Sequence, residues 1–125
     1  MTCSISCEQA YREVIVAYSR LCGLDDLKVG EMREFEHEGH QILVVWPDDS
    51  EPRAFQALCL HEGIPLIDGD FDGAVLTCAA HSWDFDAKTG ENLMPGAGCL
   101  AVYPLRIDGN DVQVDVAAML PARKD

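Results

Sequence analysis

The chain has 125 residues, 48% of them apolar, and a formal net charge of −13 from 22 acidic and 9 basic residues. That length holds one domain with a real core, and the apolar share excludes a disordered chain. The charge repels nucleic acid and anionic lipid, and no apolar run reaches the roughly 18 residues of a membrane span, so the surface suits solubility or a basic protein partner.

The first residues, "MTCSISCEQAYREVIVAYSRL", lack a basic leader and carry Glu8 and Glu13 inside the candidate apolar segment. They do not read as a secretory signal, and the expected compartment is the cytoplasm. Six cysteines in such a chain point to metal ligands or small core residues rather than to a disulfide framework. Residues 1–14 read as an N-terminal extension, with Ser6 and Gln9 forming a capping box for a short helix. From Val14, "VIVAYSRL" predicts a first strand, although Ala10, Val14, Ala17 and Leu21 also fall on one helical stripe.

"EMREFEH" and "HQILVVW" predict two strands around a Glu38-Gly39 turn, with His37 and His40 in solvent at the hairpin tip. "RAFQAL" predicts a strand running into Cys59 and His61, "IDGDFDG" a loop, and "AVLT" a strand running into Cys78 and His81. "SWDFD" is followed by the turn "AKTGE" and the Pro/Gly loop "NLMPGAG". "LAVYPLRI" and "VQVDVA" predict a last hairpin around Asp108-Gly109-Asn110. Many short strands, with no long amphipathic helix after Val14, predict an all-β sandwich or small barrel and argue against an α/β fold. Phe85 is expected in the core, as are Cys22 and Cys99.

Two short Cys–His spacings stand out: Cys59-x-His61 and Cys78-x2-His81. Each lies just past a predicted strand, so two neighbouring loops could present two thiolates and two imidazoles to one centre. That donor set suits zinc or an iron–sulfur group. It is also compatible with inert strand-end cysteines and surface histidines. Zinc sites more often pair Cys with Cys and His with His. Mixing within each half fits a Rieske [2Fe–2S] centre, where two histidines replace two cysteines on one iron.

The stretch "CLHEGIPLIDGDFDGAVLTCAAHSWDFDAKTGE" resembles the cluster-binding segment of Rieske-type ferredoxins, most of all the ferredoxin components of multicomponent toluene and alkene monooxygenases. Their second loop likewise reads C-x-A-H-x-W. "CGLDDLKVGEM", "GCLAVYPLRIDGNDVQV" and Leu120-Pro121 extend the resemblance over residues 22 to 121. It implies an all-β Rieske-type antiparallel sandwich over residues 15–121, with a small cluster-binding subdomain of loops at about 58–97. It implies one [2Fe–2S] cluster, with Cys59 and Cys78 on the buried iron and His61 and His81 on the outer one. Leu60, Ala80, Trp83 and the third-loop Pro95 would surround the cluster; Leu60 stands where the family commonly has proline. The implied role is a monomeric electron carrier, not an enzyme, between an NADH-dependent flavin/iron–sulfur reductase and a di-iron hydroxylase. A ferredoxin of a Rieske ring dioxygenase and a structural zinc module are the alternatives.

Overall fold

Residues 42–45, "ILVV", show no period-two alternation, and all four are essentially solvent-free. A strand reads this way when both of its faces are covered. In the computed structural model, which describes residues 18–59, 64–79, 84–93 and 98–122, they lie in the middle of the molecule. The strands are β1 (Ser19–Gly23), β2 (Met32–His37), β3 (His40–Val45), β4 (Arg53–Gln56), β5 (Asp70–Phe71), β6 (Val75–Thr77), β7 (Asp84–Asp86), β8 (Val102–Tyr103), β9 (Leu105–Asp108) and β10 (Asp111–Val114). Three sheets result, ordered β2-β3-β4-β8, β9-β10-β1 and β5-β6-β7. Every pairing between these strands is antiparallel. Among the described residues there is no α-helix, only three single 3-10 turns. None is long and apolar enough to cross a membrane.

The four-stranded sheet is the middle layer. Ile42, Val44, Ala54 and Tyr103 pack with Cys22, Leu27, Val112 and Val114 of the β9-β10-β1 side. Leu43, Val45 and Phe55 point the other way and pack with Leu66, Leu76, Phe85 and Leu100. Successive residues of β3 thus serve two different cores, as the alternation of a pleated strand requires.

The predicted hairpin at Glu38-Gly39 forms with His37 opposite His40. Glu38 and Gly39 take φ of +52° and +82°, the signs of a type I′ turn. The predicted hairpin at residues 108–110 also forms, pairing Asp108 with Asp111. Phe85 is fully buried.

Several expectations need correction. The first described strand begins at Ser19 and runs on to Gly23; residues 14–17 and the 1–14 extension, with Cys3, Cys7 and the Ser6–Gln9 box, lie outside the described residues. "IDGDFDG" is not all loop: it holds most of a 3-10 turn at Leu66–Asp68 and the strand β5. "LAVYPLRI" is not one strand. Pro104, with no N–H to donate, separates β8 from β9, and the two join different sheets. The last strand stops at Val114, because the buried Asp115 carboxylate accepts from the Ala117 N–H and starts a 3-10 turn. Cys22 is buried as expected, but Cys99 is only half-buried, its Sγ 3.6 Å from the Thr89 carbonyl oxygen.

His37 and His40 are not loose solvent residues. The ring nitrogen Nε2 of His37 lies 2.7 Å from Ser19 Oγ, joining two sheets. His40 Nδ1 lies 3.1 Å from the Tyr103 hydroxyl, with the rings edge to face at 5.6 Å. Both partners are far away in sequence, which is why local turn reasoning misplaced the two side chains.

Candidate metal centre

Cys59 follows the end of β4, and its N–H donates to the Ile64 carbonyl oxygen at 2.6 Å, closing the foot of the first loop. A bridge between Leu58 and Pro65 braces the same foot. Cys78 follows β6 directly. Thr77 Oγ1 donates to the Asp84 carboxylate at 2.8 Å, tying together the two strands that flank the second loop. The third loop springs from a pair in which Asn92 N–H donates to the Gly98 carbonyl at 3.0 Å. Phe85 bridges to Asn92 and pairs with Leu76, so the second and third feet share a base.

Two contacts lock these feet to one another. Gln56 Nε2 donates to the Leu58 carbonyl at 2.7 Å, while its Oε1 accepts from the Ala101 N–H at 2.7 Å. One side chain therefore positions the residue before Cys59 against the chain leaving the third loop. Gly69 supplies the other contact. A Cβ there would sit 1.9 Å from the Thr77 carbonyl oxygen and 3.2 Å from the Ala79 nitrogen. Only glycine at position 69 lets its backbone come so close to the residues that flank Cys78. Neither Gln56 nor Gly69 was legible as a site residue: the partners of Gln56 depend on chain pairing, and the DG pair at 68–69 reads locally as a turn.

The two cysteines are 3% and 1% exposed and belong to one apolar cluster with Leu43, Leu66, Leu76 and Phe85. Both are thiols rather than disulfide sulfurs. His61 and His81 lie outside the described residues, as do Leu60, Ala80, Trp83 and Pro95. Among the described residues no group of three or more Cys, His, Asp or Glu side chains is set to hold a metal ion.

The chemistry of the buried pair fits an iron–sulfur group. A thiolate without a counter-charge is costly in an apolar site, and iron in a sulfide cluster is one of the soft centres that thiolates bind there, zinc being another. Two buried cysteines, each a short step in sequence from a histidine, are compatible with the donor set of a mixed-ligand cluster.

Sheets, loop feet and buried thiols together define an all-β protein with two candidate ligand cysteines in one apolar cluster. Residues 17–104 match the Rieske [2Fe-2S] domain, and the chain belongs to that family. It is a Rieske ferredoxin, one whose relatives are electron carriers rather than catalysts, and the family's cofactor is a [2Fe–2S] cluster. The chain is 32% identical over 100 residues to the ferredoxin component of the alkene monooxygenase system of Xanthobacter autotrophicus, covering 79% of this chain and 81% of that one. It is 32% identical over 102 residues to the biphenyl dioxygenase ferredoxin subunit of a Pseudomonas species, covering 80% and 93%. The ferredoxin of carbazole 1,9a-dioxygenase from Nocardioides aromaticivorans superposes with a TM-score of 0.69 at 30% identity, covering 78% of this chain and 96% of that one.

Proposed function

We propose that this ferredoxin carries single electrons from an NADH-dependent flavin/iron–sulfur reductase to the di-iron hydroxylase of an aromatic or alkene monooxygenase. It works as a cytoplasmic monomer. Its cluster-bearing domain spans residues 15–121, with a cluster-binding subdomain at about 58–97 and an extension at 1–14. The observation that carries the reading is the pair of buried thiols, Cys59 and Cys78, on braced loop feet, each followed within three positions by a histidine. The likeness to an alkene monooxygenase ferredoxin supports the choice of partner.

Cys59 and Cys78 would hold the inner iron, and His61 and His81 the outer one. When bound, the cluster supplies one-electron redox chemistry. The protein's part is placement and shielding. Leu66, Leu76 and Phe85 exclude water from the thiol side. Gln56, Thr77 and Asp84 brace the feet of the loops that would carry the four donors. Leu60, Ala80, Trp83 and Pro95 would complete the surroundings. Fixed ligands lower the reorganisation that accompanies a change of iron charge.

Purified protein should be red-brown and, after dithionite, should show the rhombic, low-g EPR signal of a reduced Rieske centre. Cys59→Ser and Cys78→Ser should each lose iron and the signal. Colourless protein with one zinc and no acid-labile sulfide would make it a zinc module instead. A second reading, service to a Rieske ring dioxygenase, is favoured by the biphenyl and carbazole dioxygenase relatives. Reconstitution with each oxygenase and a reductase, followed by product formation, separates the two.

A further inference from the structure

Solvent stops abruptly at the first buried thiol: Leu58 is 46% exposed, and the next residue, Cys59, is 3% exposed. The Gln56 side chain stands at that boundary. Its backbone N–H donates to the Ala101 carbonyl at 3.0 Å, while its Oε1 accepts from the Ala101 N–H at 2.7 Å. Its Nε2 donates to the Leu58 carbonyl at 2.7 Å. The side-chain amide therefore acts as an extra peptide unit, set between the end of β4 and the segment that enters β8. The Cys59 N–H, at the other edge of the Leu58–Cys59 peptide, donates to the Ile64 carbonyl at 2.6 Å. That peptide plane is thus held at both of its polar atoms. Leu100, one residue before Ala101, is 1% exposed and packs in the same apolar cluster as Cys59 and Cys78.

We propose that Gln56 is a positioning residue that keeps the reduction potential of the cluster low by closing the seam between the Leu58–Cys59 peptide and the Leu100–Ala101 segment. The inference rests on the cluster assigned to Cys59 and Cys78 above, and it does not depend on which oxygenase the ferredoxin serves. Reduction adds a negative charge. Water stabilises that charge better than an apolar wall does, so a dry thiol side favours the oxidised state. Without the amide, the Ala101 N–H and the Leu58 carbonyl take water as their partner. That water stands one peptide from Cys59, and the Leu100 segment loses one of the bonds that hold it against the thiol. The freed peptide can also turn its N–H from Ile64 toward the sulfur, and a donor to a ligand sulfur raises the potential as well. Both changes have the same sign. Gln56 touches neither thiol in this scheme; it acts through the Cys59 peptide and through Leu100.

Redox titration of the purified full chain, with release of iron to excess EDTA followed in parallel, tests it. Gln56→Leu removes both side-chain bonds at similar volume. Its potential should shift upward and its iron should leave about fivefold faster or more, while the EPR signal persists because no ligand is lost. Gln56→Asn keeps an amide but is one methylene too short to span both partners. It should shift in the same direction, and it decides the matter if Gln56→Leu does not fold. Val112→Ala loosens the opposite core and should leave the potential where it is. A folded Gln56 variant with the parent's potential overturns the proposal, as does an equal shift in Val112→Ala, which would make the effect one of general loosening. A parent chain without the Rieske EPR signal overturns the cluster assignment itself, so the two failures are told apart.

Discussion

Glu38 holds a φ of +52°, a backbone region that glutamate enters at a cost and asparagine tolerates. The turn beside Gly39 imposes it, because only two left-handed residues match the twist of β2 and β3. Glu38→Asn is therefore expected to raise stability by roughly 0.5–1 kcal/mol and Tm by about 2–5 °C, read by thermal melting. The gain is partly offset by loss of the Ser19 hydroxyl's bond to the Glu38 carboxylate at 3.2 Å, an exposed and weak contact. Gln56 works in the opposite sense. Its two bonds join segments 45 residues apart, and Gln56→Ala leaves the Ala101 N–H and the Leu58 carbonyl without these partners. That loss should cost about 1–3 kcal/mol in urea denaturation, because a part-buried amide loses its acceptor. The type of turn was legible from the Glu-Gly pair; the value of Gln56 was not, since it resides in contacts between distant segments.

The short strands β6 and β7, three residues each, are held less by their few ladder bonds than by what they bury. Leu76 and Phe85 face each other across this pair and are both fully buried, next to Cys78 in the same cluster. Phe85→Ala should cost about 3–5 kcal/mol and lower the iron content per folded chain, measured by melting and metal analysis together. Val112→Ala, which thins the opposite core, should destabilise without changing iron per folded chain, because Val112 packs with Cys22 and Ile42 rather than with the two buried ligand candidates. The run "AVLT" was legible as a strand, whereas "SWDFD" gave only the expectation that Phe85 is core. Pro104 was harder to interpret. A β-rich run on either side of one proline fits an edge strand or two strands, and only the pairing of Tyr103 with Ala54 and of Leu105 with Val114 separates them.

The three-sheet arrangement also sets a response to alkali. Cys22 sits between β1 and the middle sheet, and burial, aided by Asp26, pushes its thiol up from 9.0 to about 11. Between these values the unfolded chain releases the thiol proton and the folded chain keeps it. The folded state therefore binds more protons, and stability falls as pH rises from 9 to 11. The contribution is complete below pH 9 and levels off above 11. In urea denaturation at pH 8 to 11, Cys22→Ala should show a shallower decline across that interval than the parent chain. Turn positions, the two hairpins, the antiparallel β character and the two Cys–His spacings followed from the amino-acid order alone, because turn chemistry, side-chain alternation and ligand spacing act over only a few residues. The union of Cys59 and Cys78 in one apolar cluster, the burial of residues 42–45 on both faces and the partners of His37 and His40 depend on the assembled sheets. Each requires segments tens of residues apart to meet, and that meeting is set by which strands pair and by the burial that rewards the pairing.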